Sequence, residues 1–447
     1  MRIAATLSVC LLSLSFGASA IPSAFPTGVT YYDPARAWNG YVVIPGSDNQ
    51  THLIDMTGQE VHRWAYEGFP SWPIPTDRVN GQRGHLLVQL ERQKDLDKEA
   101  SPGNGMVNAS VAEVDWNGAV QWQYGSQQQP VHQHHEIQRL ADGNTLVLGA
   151  ALRQLPGYNY RIIDNTLEEV SPQGEKLWSW SVADHLNELG FSDAQLAMIR
   201  DSQDADFLHM NTAAPLGPNP WFDKGDQRFA PDNILFNSRN GNVAVIVDRQ
   251  TGKVVWRIGP DYPALKLDTP LPRPLDQLIG EHDVHMIGPG LPGAGNILIF
   301  DNQGNAGFPP TRQGFFSASR VIEVNPQTKQ IVWEYTGEKS GQAISTFYSA
   351  YISNAQRLPN GNTLINEGQS GRLFQVTPQG AIVWEYVSPF YGKAMPRDHY
   401  SGNTVYRAYM VDYRWAPDGT AHSEKAVIAD CIRYPALPGC PALTSSQ

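Results

Sequence analysis

Residues 245–256 read VIVDRQTGKVVW. An apolar stretch leads into a turn of the type Asp-Arg-Gln-Thr-Gly, and a second apolar stretch ends at Trp256. This pattern predicts two antiparallel strands joined by a tight turn, because Gly and Asp favour the backbone angles of such turns. One hairpin cannot bury its apolar face alone, so its recurrence along the chain decides the fold.

The Trp-ended hairpin recurs at LIDMTGQEVHRW (53–64), AEVDWNGAVQW (112–122), EEVSPQGEKLW (168–178), IEVNPQTKQIVW (322–333) and FQVTPQGAIVW (374–384). Four copies follow a second hairpin signal: LADGNTLVLG (140–149), FAPDNILFNS (229–238), GAGNILIFDN (293–302) and LPNGNTLINEG (358–368). Two successive hairpins make a four-stranded sheet, which is one blade of a propeller. The sequence therefore predicts an all-β fold, a six-bladed β-propeller with rim insertions. A pair of β-sandwiches is the alternative, but it does not require a Trp-ended hairpin in every unit.

The chain divides into four segments on this interpretation. Residues 1–20 have a positive start, an apolar run and a final Ala18-Ser19-Ala20, which is typical of a cleaved signal peptide. Residues 21–72 supply N-terminal strands that contribute to ring closure, residues 73–415 form the propeller, and residues 416–447 form a C-terminal tail. Long insertions fall at about 184–206 and 261–281, and the first has helical periodicity.

Composition restricts the location and the partners. The net charge of −11 argues against nucleic-acid binding, which requires clustered Lys and Arg. Beyond the signal peptide, no apolar stretch approaches the ~20 residues of a membrane helix. We therefore expect a periplasmic or secreted protein without membrane insertion. In an oxidising compartment Cys431 and Cys440 are expected to form a disulfide that fixes the tail; two free thiols are the alternative.

Histidines recur where blades begin. HEIQRL starts at His135, HMNTAAPL at His209 and HDVHMI at His282, whereas Ser353 takes the corresponding place in SNAQRL. The first strand of each blade lines the central channel, so these three histidines are predicted to converge there as catalytic residues. The neighbouring His134 is assigned to the rim.

Other polar and aromatic side chains extend this predicted site. Asn211 lies two residues after His209, and Arg239, Arg372 and Arg407 lie near strand ends, with Arg239 and Arg372 interpreted as equivalent positions. Arginine offers a fixed fork of donors to an anion, so we expect an anion-binding funnel. Tyr348, together with Tyr351 and Tyr406, could stack on a phenol or serve in packing.

Several stretches together resemble the bacterial arylsulfotransferase family. They are HHEIQRLADGNTLVLG (134–149), DFLHMNTA (206–213), FNSRNGNVAVIVD (236–248), EHDVHMIGPG (281–290), NILIFDNQG (296–304) and LPNGNTLINEGQSGRLFQVTPQGAIVWEY (358–386). The resemblance implies a periplasmic six-bladed propeller that moves a sulfuryl group from an aryl sulfate ester to a phenol through a sulfated histidine. It implies no nucleotide sulfate donor, no metal and no cofactor. By motif, His209 and His282 match funnel histidines of the family, and Arg239 matches an arginine motif.

The sequence also departs from the family pattern. Better-studied members carry a late-blade histidine that becomes sulfated, and we place the corresponding stretch at EGQSGRLFQV (367–376), which offers Arg372 instead. The hypothesis is then that His282 or His209 is the nucleophile and the other is the acid–base. Three further hypotheses remain: a lyase or hydrolase acting on an anionic sugar, a metal-dependent oxidoreductase using the three histidines, and a non-catalytic binding propeller.

Overall fold

The computed structural model describes residues 26–93, 107–260, 278–304, 306–308, 317–393, 402–429, 438 and 440. The signal peptide, Cys431 and most of the second predicted insertion lie outside these residues. Within them the regular secondary structure is mostly β-strand, arranged as antiparallel sheets in a propeller-like order.

Three sheets follow a simple meander in chain order, as the repeated hairpins predict. One contains β13 (Met210–Pro215), β14 (Ile234–Ser238), β15 (Val243–Val247) and β16 (Val254–Ile258). The next contains β17 (His282–Met286), β18 (Ile297–Asp301), β19 (Arg320–Asn325) and β20 (Gln330–Tyr335). A third contains β21 (Asn354–Arg357), β22 (Thr363–Glu367), β23 (Arg372–Val376) and β24 (Ile382–Val387), and the N-terminal β1 (Gly28–Tyr32) pairs with its outer strand.

The chain ends meet in a further sheet. There β25 (Tyr409–Val411) pairs with β2 (Tyr41–Pro45), which continues to β3 (Thr51–Ile54) and β4 (Glu60–Trp64). A C-terminal inner strand and three N-terminal strands thus make one four-stranded unit. This arrangement fixes both ends of the described chain by backbone hydrogen bonds.

An eight-stranded sheet comprises two four-stranded halves. The first half is β5 (Trp72–Pro73), β6 (Leu86–Arg92), β7 (Asn108–Val114) and β8 (Val120–Gly125). The second is β9 (Gln133–Arg139), β10 (Thr145–Gln154), β11 (Arg161–Val170) and β12 (Lys176–Ser181). A single residue pair, Asn108 with Gln133, joins the halves.

Helical structure is sparse and lies in the connections. The first predicted insertion contains a 3₁₀ segment, Val182–Glu188, and helix α1, Asp193–Ser202, which confirms the helical periodicity. Ser192 caps α1 by accepting from the backbone of Gln195, whose side chain accepts in return from the Ser192 backbone N–H. Helix α2, Pro220–Asp223, is one turn long, and the remaining 3₁₀ turns are Thr76–Arg78, Gln227–Phe229, Gly337–Ser340, Ile344–Thr346, Gly368–Ser370 and Tyr413–Trp415.

The tryptophans that end the hairpins connect successive units. Each donates its indole N–H to a turn carbonyl of the following unit: Trp64 to Asp115, Trp122 to Pro172, Trp180 to Gly252, Trp256 to Pro326, Trp333 to Pro378, and Trp384 back to Met56. The third unit uses Trp180, not the predicted Trp178. Trp178 instead stacks with Arg249, whose guanidinium carbon lies 4.9 Å from its ring centre. The repeated tryptophan therefore fixes the spacing between units by a polar contact within an apolar interface.

Replacing Trp384 by phenylalanine is expected to lower the free energy of unfolding by about 1–3 kcal/mol, because the buried Met56 carbonyl loses its donor. Trp333→Phe is the matched control: it removes the same kind of bond from a half-exposed indole, so the loss should be smaller. Urea denaturation measures both variants. Equal losses of unfolding free energy in the two variants would contradict the expectation that the buried Trp384 bond contributes more than the Trp333 bond.

Candidate active site

The three predicted histidines lie at the inner strands of three successive units. β17 begins at His282, β13 begins one residue after His209, and His135 is the third residue of β9. The ring centres of His135 and His209 are 4.8 Å apart, and His282 lies close enough to help lower the pKa of His135. The structure therefore brings together three histidines that lie 73 to 147 positions apart in sequence.

Partners on both ring nitrogens fix the tautomer of His282. Nδ1 lies 2.7 Å from Oδ1 of Asn302, while the amide nitrogen of Asn302 donates to the carbonyls of Ser349 and Ile352. Nδ1 of His282 must therefore carry the proton. Nε2 accepts the Ile352 backbone N–H at 3.1 Å, so this nitrogen is unprotonated and its lone pair is engaged in that bond in the free protein. Burial, then the charge of Arg239, holds the pKa of His282 well below its ordinary value, and the ring is neutral at pH 7.

His209 has a different environment. Its Nδ1 lies 2.6 Å from Oδ2 of Asp206, and its side chain is 17% exposed, so it faces open space. A carboxylate at Nδ1 orients the ring and directs Nε2 outward. The backbone of His209 has a φ of 43°, in the left-handed region, which is costly for a residue with a side chain. Its geometry is that of an acid–base group.

A short hydrogen-bond relay orients His135. Nε2 of His134 lies 3.1 Å from the Gly149 carbonyl and must donate to it, so Nδ1 of neutral His134 accepts from Nδ1 of His135 at 2.8 Å. Burial lowers the pKa of His134 to about 4 and that of His135 well below its ordinary value. His134, predicted at the rim, is buried beside His135. The relay leaves the Nε2 lone pair of His135 directed away from His134.

Arg239 is the arginine best placed to bind an anion. Its backbone N–H donates to the His209 carbonyl at 3.1 Å, which holds the two residues side by side. Its Nη1 donates to Oδ1 of Asn240, its buried Nε has no partner among the described residues, and none of the described carboxylates forms an ion pair with it. Burial lowers the pKa of Arg239, opposed by Asp206 and Glu281, but arginine stays charged at neutral pH.

Arg407 is a buried hub between inner strands, not an uncommitted anion binder. It forms an ion pair with Glu136, and its Nη2 donates to the Asn211 carbonyl at 2.6 Å and to the Thr212 hydroxyl at 2.8 Å. Asp283 lies 3.7 Å from its Nη1. The predicted binder Asn211 is likewise committed, because its amide donates to the Glu281 carbonyl and accepts the Thr212 hydroxyl. Both residues hold the three histidine-bearing strands in place.

The predicted equivalence of Arg239 and Arg372 is wrong. Arg372 opens β23 opposite Glu367, whereas Arg239 follows the end of β14, so Arg372 corresponds in register to Val243. Its guanidinium forms ion pairs with Glu367 and Glu385 and is 1% exposed. Arg320 opens β19 in the same way, opposite Asp301. Arg372 is therefore part of a repeated structural ion pair, which corrects its assignment to substrate binding.

An aromatic cleft lies beside the histidines. It is a shallow cleft open to solvent, and its lining includes Phe69, Tyr351, Ile352 and Tyr406 together with the charged Glu67 and Lys393. The rings of Phe69 and Tyr406 stack at 3.8 Å and lie 5.2 and 5.9 Å from the ring of His135. The aromatic lining offers a surface against which a planar ring can pack.

Tyr348 lies near Arg239 and does not line the aromatic cleft. Burial raises the pKa of the Tyr348 phenol, and the positive charge of Arg239 opposes the rise. Its backbone N–H donates to the Glu367 carboxylate, so its position depends on the Arg372 ion pair.

Two remaining expectations concern metals and the tail. Across the described ranges, no group of three or more His, Cys, Asp or Glu side chains is placed to hold a metal ion. Cys431 lies outside the described residues, so its pairing with Cys440 stays a prediction.

No helix in the described part of the chain is long and apolar enough to cross a membrane.

Sequence reasoning missed three residues of this site. Asp206 and Glu281 lie three and one positions before a predicted histidine, and Asn302 ends the stretch NILIFDN. For Asp206 and Glu281, the available signal was an acidic residue within three positions of a candidate histidine. Asn302 is twenty positions from His282, and only the cross-strand register of β17 and β18 brings it to that ring.

The fold and the site together define a class: an all-β, propeller-like protein with neutral histidines and, among the described residues, an arginine without an ion pair at its inner strands. The chain belongs to the arylsulfotransferase (ASST) family, whose family model matches residues 82–386, more than half of the chain. Membership implies a sulfotransferase enzyme acting on small molecules. No curated protein matches the chain significantly.

Solved structures resemble the chain only distantly. They include a protein of unknown function from Bacteroides caccae (11% identity, 83% of this chain and 98% of that chain, TM-score 0.47). Streptogramin B lyase (14% identity, 84% and 88%, TM-score 0.38) and the Dos1 propeller (9% identity, 80% and 71%, TM-score 0.34) are further examples.

Proposed function

We propose that the protein transfers a sulfuryl group from an aryl sulfate ester to a phenol, with His282 as nucleophile and His209 as acid–base. The observation that carries the proposal is Arg239, a partly buried arginine whose guanidinium forms no ion pair among the described residues and whose backbone is hydrogen-bonded to His209. Such a group binds the oxygens of a sulfate ester and stabilises the charge that grows on them during transfer.

The first half-reaction uses the lone pair on Nε2 of His282. This nitrogen attacks sulfur, the bond from sulfur to the phenolic oxygen breaks, and protonated His209 gives its Nε2 proton to the departing phenolate. The low pKa of His282 supports this role, because a nucleophilic imidazole must be unprotonated. The Ile352 N–H, which Nε2 accepts in the free enzyme, becomes a donor to a sulfuryl oxygen.

The second half-reaction reverses the first with another phenol. His209, now neutral, removes the proton from the acceptor hydroxyl, and the phenolic oxygen attacks sulfur while the bond to Nε2 breaks. Asp206 holds the ring of His209 in the same orientation at each exchange. The cleft of Phe69, Tyr351 and Tyr406 supplies a stacking surface for the phenol ring.

We further propose that the propeller has six blades and that the protein is exported, periplasmic or secreted. The cycle of tryptophan bonds supports the blade count, since six donors lead from unit to unit and the last returns to the first. The division of the eight-stranded sheet at one residue pair agrees with two blades there. Export rests on residues 1–20 alone.

The function is tested by turnover of para-nitrophenyl sulfate with and without phenol. We expect release of nitrophenolate that accelerates with phenol concentration, together with formation of phenyl sulfate. Parallel lines in double-reciprocal plots at varied acceptor concentration would support the two-step scheme. Absence of nitrophenolate release from folded protein, with or without phenol, would contradict it.

A further inference from the structure

Glu281, which directly precedes His282, carries a buried carboxyl group. The residue is 0% exposed, and its carboxyl oxygens have no hydrogen bond of normal geometry within the described part of the chain, although the Asn237 amide lies near enough to favour the charged form. Its main chain is fixed, because the amides of Asn211 and Asn237 both donate to its carbonyl oxygen, at 3.1 and 2.7 Å. A charge in such a place is costly, so the side chain favours its neutral form.

The guanidinium of Arg239 is the neighbouring cation. Its stem runs along the residue before Glu281: a Cβ placed on Gly280 would lie 3.9 Å from Cγ of Arg239. Arg239 and Glu281 act on each other electrostatically, each favouring the charged form of the other. With Glu281 neutral, the guanidinium forms no ion pair among the described residues, and Asp206, which is bonded to His209, is the other carboxylate that acts on it.

Other charged groups around Glu281 are already committed. Asp301 forms an ion pair with Arg320, Asp206 pairs with His209, and Arg407 pairs with Glu136 and lies 3.7 Å from Asp283. Arg239 is therefore the cation that an ionised Glu281 would capture. Burial, then Asp301, raises the pKa of Glu281 to about 8, with Asn237 and Arg239 opposing the rise.

We propose that Glu281 is a positioning residue whose proton keeps Arg239 available for the sulfate group. When Glu281 loses that proton, its carboxylate pairs with Arg239 and competes with the substrate anion. Glu281 does not touch the reacting atoms; it acts through Arg239. The inference rests on the proposed function, but it concerns anion affinity and not the chemical step.

The sign of the pH dependence follows directly. Below about pH 8 Glu281 is protonated and anion binding is strong. Above that pH, the fraction of protein with protonated Glu281 falls. At one pH unit above the pKa, the Kd for an anion is therefore expected to be about tenfold higher. Inorganic sulfate and aryl sulfates keep their charge throughout this range. Tyr348, whose pKa is raised above its ordinary value of 10.0, titrates outside it.

The experiment measures two quantities across pH values on both sides of 8: the Kd for inorganic sulfate, by calorimetry, and the Michaelis constant for the donor para-nitrophenyl sulfate. Wild-type protein should lose affinity with rising pH, with parallel changes in both constants. Glu281→Gln should bind as the wild type does at low pH and keep that affinity at high pH. Glu281→Met serves the same test if glutamine is not tolerated, since an apolar side chain of similar volume suits a buried site without hydrogen bonds.

Glu136→Gln is the matched control. Glu136 is another buried carboxyl group, with a pKa raised to about 7 by burial against the opposing charge of Arg407, but it is ion-paired. This variant should retain the pH dependence of sulfate binding. A pH dependence that persists in Glu281→Gln, or one that vanishes only in Glu136→Gln, would overturn the inference. Turnover with a Kd that does not change with pH would refute this inference alone, whereas pH-dependent sulfate binding without turnover would refute the proposed function alone.

Discussion

Replacing His282 by alanine is expected to reduce sulfuryl transfer from para-nitrophenyl sulfate by about 10⁴-fold or more. The substitution removes Nε2 of His282, the nitrogen proposed as the nucleophile. Asn302 and the Ile352 N–H hold this imidazole ring in a fixed orientation. Steady-state kcat and KM measure the effect. The loss should fall on kcat, because Arg239 and the aromatic cleft that bind the donor remain in place.

His285→Ala is the matched control for this variant. His285 lies three residues further along the same strand, partly exposed, with its Nδ1 near the Asp283 carbonyl. Its loss should leave kcat within about threefold of the wild-type value. His282→Asn, which keeps a polar group of similar shape, guards against a folding defect, and equal melting temperatures would establish that. Wild-type turnover by folded His282→Ala would contradict the assignment.

Replacing Arg239 by alanine is expected to lower kcat/KM by about 10²–10³-fold, because the sulfate oxygens lose their charged donor in both the ground state and the transition state. Arg239→Lys should recover only part of the loss, since an ammonium group cannot present two parallel donors. Donor KM, kcat and the Kd for inorganic sulfate measure the effect. Unchanged sulfate binding in Arg239→Ala would contradict the assigned role.

Arg372→Ala provides the contrast. It leaves Glu367 and Glu385 buried without their cation, so the free energy of unfolding should fall by about 3–5 kcal/mol. The fraction that stays folded should bind sulfate with the wild-type affinity. A specific loss of sulfate binding at unchanged stability would restore Arg372 as a substrate residue.

The hairpin repeat made the arrangement of the sheets predictable from the sequence. Alternating strands around a turn and ending in Trp256 define a local unit, and the same local rule holds wherever the pattern recurs. The positions of His135 and His282 follow from it, because each lies in the inner strand of a unit. The choice between Trp178 and Trp180 could not be predicted, since it depends on which indole faces the next unit.

The chemical state of the site could not be predicted from the sequence. Whether a histidine offers a lone pair depends on its hydrogen-bond partners, and Asn302 reaches His282 only through strand register. The two arginines show the same limit. Arg239 and Arg372 occur in similar local sequence, but only Arg372 faces carboxylates across adjacent strands. Equivalence in a repeat therefore has to be judged by register and not by spacing from the nearest Gly or Asn.

The most direct test of the central claim is the mass of the enzyme after it reacts with para-nitrophenyl sulfate in the absence of phenol. We predict the addition of one sulfuryl group (SO₃), located by peptide mapping on His282, and its disappearance when phenol is added. His282→Ala should show no addition. Turnover with no sulfated enzyme, or sulfation of His209 or His135 instead, would contradict the account.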